Sequence, residues 1–231
     1  MLAWLRLRGA VPVWRAVFFW CGIVSVWLAT ASPLAMLDEE MLTAHMLQHL
    51  LLMTLGAPLI LLGFPALRLR ANPVFCWFAA VVVLTGWHIP ALFALGLSSH
   101  LWHHLEHATF FAAGLLFWLP VLPSLPGGSH PRWSMVIYLF LATLPCDALS
   151  AFLAFCGHVV YPHYGNVARH FALPALQDQE CAGALMWTWV TFAYLIPAVL
   201  VTLRLLSPPG DSAMRDRDRD DRLSTAIISD R

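Results

Sequence analysis

Two histidines, His45 and His49, stand one helical turn apart inside the apolar run LTAHMLQHLLLMTLGAPLILLG at residues 42–63. A second group, HLWHHLEH at 100–107, repeats that spacing in His100/His104 and His103/His107 and adds Glu106. Side chains four apart share a helix face, so each pair can offer two imidazole nitrogens to one ion. His88 stands alone in GWHIP at 86–90. Imidazole alone suits copper, zinc or haem iron, and imidazole with thioether suits copper. Met46 and Met53 lie beside the first pair, although Met46 is turned about 100° from His45. Ionisable groups within apolar spans are costly and point to function by default. Glu106, Asp147 and Asp178 are the acids that could orient imidazole N–H groups or take up protons released when histidines bind a metal.

Bland readings stand beside these. A lone histidine near a membrane surface commonly snorkels or bonds a carbonyl, which covers His100, His104, His158, His163 and His170. Met46, Met53 and Met186 also fit as packing. Asp147, in LPCDALS, could be polar glue between helices. The five cysteines (21, 76, 146, 156 and 181) form no CxxC pair, so neither a zinc ribbon nor a thioredoxin motif is present. Cys156 and Cys181 are expected on the same side, where a disulfide is chemically possible. Trp14, Trp102, Trp118 and Trp133 lie near the ends of apolar runs and read as an interfacial belt.

The elements that must hold these residues follow from composition. Of 231 residues, 60% are hydrophobic and 11% charged, too few charges to cover a soluble domain of this size. Net charge is zero and lysine is absent, which excludes a nucleic-acid binder working through its global field. About 20 apolar residues cross a bilayer as a helix, and six segments qualify: 14–37, 41–63, 74–97, 100–123, 133–156 and 181–206. The expectation is an all-α polytopic membrane bundle of six helices. A cytoplasmic N-terminus spans 1–13, the transmembrane domain 14–206, and a charged, disordered tail 207–231. The first apolar segment reads as a span rather than a cleavable signal.

Arginine placement sets sidedness. Arg6, Arg8, Arg15, Arg68, Arg70, Arg132 and Arg204 fall on one side of an even-span bundle, which becomes cytoplasmic together with both termini. Asp38, Glu39, Glu40, Asp178 and Glu180 fall on the other, with Arg169. Of the eleven histidines, all but His130 then lie in the outer half or outside. Random placement would not produce that asymmetry.

In this order, several segments resemble the CtaG family of cytochrome c oxidase assembly factors, the type linked to caa3 oxidases. They are HMLQHLLLMTLGAPLILLGFP (45–65), WHIPALF (87–93), LEHATFFAAGLLFWLP (105–120), YPHYG (161–165) and DQECAGALMW (178–187). Together they cover roughly 40–200; the arginine/aspartate tail is not part of the resemblance. The resemblance implies a multi-pass protein of the bacterial inner membrane that is needed to make active oxidase at the step supplying copper. It implies no enzyme activity of its own. Oxidase subunits, a separate copper chaperone and membrane lipids would be its partners. His45, Met46 and His49 match the first motif, His88 the second, His107 the third, and Asp178 and Gln179 the last. His103 is carried by its helical spacing to His107. The expected metal ligands are therefore His45, His49, His88, His103 and His107, with Met46, Glu106, Asp147 and Asp178 around them. Two rivals use the same residues: a membrane haem protein, and a transporter of metal ions or protons.

Overall fold

The computed structural model describes residues 12–64, 71–125, 131–166 and 173–207. Arg6, Arg8, Arg68, Arg70, Arg169, His130, His170 and the tail beyond 207 lie outside these residues. Among the described residues every regular element is helical. In chain order these are α1 (Val13–Ala31), α2 (Leu34–Leu37), α3 (Leu42–Leu50), α4 (Ala57–Gly63), α5 (Pro73–Trp87), α6 (Pro90–Gly96), α7 (His100–Trp118), α8 (Trp133–Phe155), α9 (Pro162–Asn166) and α10 (Ala175–Leu206).

Four of the described segments are long and apolar enough to cross a membrane: Val13–Leu37, Leu42–Gly63, Trp133–Phe155 and Ala175–Leu206. A fifth is added if α5 and α6 count as one bent span. The remaining expected span, α7, has 19 residues. It carries four histidines and Glu106 in its first eight positions and is not among the helices apolar enough by composition. α10 is 32 residues long, about 48 Å at helical rise, so it outruns a hydrocarbon core of about 30 Å.

Two spans expected to be regular are not. The segment at 74–97 is broken in WHIP, and α5 meets α6 at 81°. Pro90 drives its predecessor out of helical geometry, and Ile89 is extended at φ −65°, ψ 127°. Pro90 then opens α6 at its first turn, where a missing N–H costs nothing. The segment at 42–63 contains a π-helical stretch, Leu51–Gly56, between α3 and α4. The longer π hydrogen bonds leave carbonyls to be satisfied by other donors. Ser25 of α1 donates to Leu51 O at 2.9 Å, and Trp118 of α7 donates to Met53 O at 3.1 Å. Thr54 donates to Leu50 O at 2.7 Å and accepts from Trp189 of α10 at 2.8 Å.

Helices α8 and α10 make the most extensive pairing, α1 packs on α4 and the π stretch, and α5 packs on α7. Small residues permit the closest approaches, as usual in membranes. A Cβ on Gly114 would meet Met53 O at 2.7 Å, and one on Gly183 would meet Ser150 O at 2.7 Å. The molecule is apolar outside: Trp20, Phe78, Phe140 and Phe155 are exposed. Its fully buried side chains, in contrast, include His45, Gln48, Glu106 and Asp178, each 0% exposed. That inversion suits a protein solvated by lipid and concentrates polar chemistry in the interior.

Candidate metal centre

The histidine end of the bundle is built on borrowed caps. The first N–H groups of α3 have no partner in their own helix, and Asp178 of α10 supplies one. Leu42 N donates to its Oδ2 at 2.8 Å and Thr43 N to its Oδ1 at 3.1 Å. The Thr43 hydroxyl adds a bond of 2.7 Å. This clamp sets the depth and rotation of α3, and with them His45 and His49. α7 starts from its own cap, Ser99, whose hydroxyl accepts from Trp102 N at 3.4 Å.

Those two helix starts bring the imidazoles onto one carboxylate. Glu106 Oε1 lies 3.4 Å from His45 Nε2 and 3.5 Å from His49 Nε2. Neither approach has hydrogen-bond geometry, so both ring nitrogens of each histidine and both Glu106 oxygens are buried without a partner. Gly96 makes room for the acid, since a Cβ there would stand 2.6 Å from Glu106 Oε2. The rings are held by aromatic packing: His49 stacks on Phe110 with centroids 3.9 Å apart, and His45 lies 4.9 Å from Phe93.

A second, overlapping group faces the α1–α3 connection. His103 Nε2 lies 3.0 Å from Asp38 Oδ2 and 3.0 Å from His107 Nε2. The donor atoms of Asp38, His45 and His103 all lie within 4.8 Å of one another, as do those of His45, His49 and Glu106. Burial would raise the Asp38 carboxyl, but the His103 hydrogen bond and the surrounding imidazoles outweigh it and hold it below its ordinary value. The loop carrying α9 closes over this region. Tyr164 donates to Asp38 O at 2.7 Å and Tyr161 to His88 O at 3.0 Å. Burial pushes both phenols up, with nearby carboxylates adding to it, so both remain neutral donors.

The sequence-derived candidates distribute unevenly. His45, His49, His103, His107 and Glu106 converge, with Glu106 Oε1 between the Nε2 atoms of His45 and His49. His88 stands to one side, its Nε2 3.2 Å from Met46 Sδ. Asp178 is engaged with the start of α3. Asp147 lies on α8, half-buried with Oδ1 unpartnered, outside both groups. His100, His104, His158 and His163 are exposed. Cys156 and Cys181 are free thiols, and Cys156 Sγ accepts from Gln179 at 3.1 Å. Asp38, Phe93, Gly96, Tyr161 and Tyr164 enter the site without having been singled out by residue type. Position between two spans, for Asp38, or membership in WHIPALF and YPHYG, for Phe93, Tyr161 and Tyr164, was their only signal; Gly96 had none.

Buried polar atoms are almost always paired. A set of unpaired nitrogen and carboxylate lone pairs converging within 4.8 Å therefore fits a cation that completes it. Two imidazoles and one carboxylate suit a borderline first-row ion. Searches of curated proteins and of solved structures find no match. A model of the family described as cytochrome c oxidase caa3 assembly factor (Caa3_CtaG) matches residues 1–207. That match spans the helices and both donor groups, and the chain belongs to the Caa3_CtaG family of cytochrome c oxidase assembly factors.

Proposed function

We propose that this assembly factor holds a copper ion at His45, His49 and Glu106 and passes it to an oxidase subunit. The observation that carries the reading is the convergence of unpartnered, buried donors on Glu106. Family membership supplies the oxidase; the donor set supplies the metal chemistry. Copper is cargo here, so the site must both take it and let it go. Three protein donors leave coordination positions open for that exchange. His103, hydrogen-bonded to the Asp38 carboxylate at 3.0 Å, stands beside the centre as the group that takes up protons displaced from imidazole when metal binds. The ring centroids of His45 and His49 are only 4.5 Å apart, and both rings approach one carboxylate. That arrangement supports an ion over a porphyrin ligated from opposite faces.

In the full reading the chain crosses the bacterial inner membrane six times with both termini cytoplasmic, which puts the donor groups toward the outer face. Delivery would then go to a copper site on that side, with a separate chaperone loading the factor. Reporter fusions at each terminus and loop test the topology. The metal reading is tested by titrating copper into the purified protein and the His45→Ala/His49→Ala variant. Retained copper in that variant, equal to the parent, overturns it. Loss of copper together with loss of oxidase activity in cells carrying the variant is the expected result.

A further inference from the structure

We infer that Met46 and His88 form a second, soft-donor site for a monovalent cation such as Cu(I), separate from the Glu106 centre and independent of it. The argument begins with a tautomer. His88 Nδ1 lies 2.6 Å from Leu84 O, and a carbonyl only accepts, so Nδ1 carries the proton. Neutral imidazole has one N–H, which leaves Nε2 as a bare lone pair. That lone pair faces Met46 Sδ at 3.2 Å, and a thioether sulfur has no proton to give. Two Lewis bases therefore point at each other in the protein interior, with His88 only 6% and Met46 1% exposed. Protonating His88 would relieve the clash only by placing an unpaired cation among apolar helices. A shared electrophile relieves it directly.

The surroundings select which one. Met46 and His88 border a cavity of about 20 Å³, also lined by His49, Met53, Cys146 and Met186, enough for one water-sized species. With His49 facing Glu106, three thioethers, a thiol and the His88 imidazole, without a carboxylate, make a soft set, which favours Cu(I) over hard or borderline divalent ions. Metal–nitrogen and metal–sulfur bonds of about 2.0 and 2.3 Å, as at zinc, place N and S about 3.5 Å apart at a tetrahedral angle. The observed pair, 3.2 Å apart, needs to open by only about 0.3 Å to reach it. The broken helix at WHIP explains the placement. His88 ends α5, where its ring can bond its own last turn through Nδ1 and aim Nε2 inward. His49 separates the two sites, with its centroid 6.3 Å from that of His88 and its Nε2 3.5 Å from Glu106.

Metal-free full-length protein in detergent, labelled with carbon-13 at the methionine methyls, is titrated with Ag(I), a soft probe without redox chemistry. The Met46 methyl signal, identified by its loss in Met46→Leu, shifts as Ag(I) binds. Met46→Leu nearly conserves volume and is expected to weaken Ag(I) on the order of tenfold or more while leaving Zn(II) binding unchanged. His45→Ala/Glu106→Gln gives the converse, losing Zn(II) and retaining Ag(I). A Met46 methyl unmoved by Ag(I), or variants that lose both ions alike, overturns the separate site. Parent protein that shifts Met46 with Ag(I) but binds no Zn(II) supports this site and counts against the Glu106 centre.

Discussion

Two polar regions follow one another along the segment Leu42–Gly63 and are treated in opposite ways. In the π stretch, Leu51–Gly56, and at Leu50 just before it, the carbonyls of Leu50, Leu51 and Met53 receive donors from Thr54, Ser25 and Trp118. One turn earlier, His45 and His49 keep all four ring nitrogens without a partner, facing a carboxylate equally unpaired. Burial is comparable in both regions, so desolvation alone does not separate them. The π stretch is completed by the chain itself and is structural. The histidine turn is left to be completed by something else, which is how a binding site differs from helix glue.

Exchanging function for stability should break that contrast most visibly at Glu106. Glu106→Gln removes the only carboxylate of the His45/His49/Glu106 group, and metal affinity is expected to fall by about 100-fold. Because it also removes a buried carboxyl whose oxygens have no hydrogen-bond partner, the metal-free fold should melt at the same temperature or higher. Thermal unfolding with and without metal reads both. A metal-free variant much less stable than the parent would mean Glu106 is structural after all.

Asp178→Ala comes next and acts on the frame. It leaves Leu42 N and Thr43 N without their acceptor, at an expected cost of about 2–3 kcal/mol. Metal affinity should fall by about tenfold as the start of α3 loosens. Trp118→Phe acts on the π stretch alone. Losing its bond to Met53 O should cost about 1–2 kcal/mol in denaturant unfolding and leave metal affinity unchanged.

How much of this was legible in the sequence depends on where each contact originates. The His45/His49 and His103/His107 pairs were readable because helical period alone fixes them. Pro90 was visible, but as a tolerated proline within one span. The 81° break needs Ile89 extended and α6 packed across the site, which is tertiary. The π stretch was invisible, since its donors Ser25, Trp118 and Trp189 come from three other helices. Glu106 was seen as a neighbour of imidazoles; its central place depends on the crossing of α3 and α7 and on the space left by Gly96. Asp38 was read only as a charge marking one face. Asp178 meets Thr43 across 135 positions, beyond any local pattern.

The smallest expected effect concerns the loop that closes over the site. Tyr164 Oη donates to Asp38 O, so Tyr164→Phe should cost about 1 kcal/mol at neutral pH. Burial, followed by the charges of Asp38, Asp178 and Glu106, raises the phenol well above its ordinary value of 10.0. A folded pKa raised above the unfolded one means this stability is complete below about pH 10. It is lost as pH rises from there through the folded value, by up to about 1.4 kcal/mol per unit. Tyr164→Phe therefore starts lower at neutral pH but should decline less steeply above pH 10, so the two stability curves converge. Tyrosinate absorbance followed alongside unfolding checks the assignment: the buried phenols should ionise only as the fold opens. A Tyr164 signal that titrates near pH 10 in the intact protein would show the loop to be open to solvent, and with it the Asp38 edge of the donor cluster.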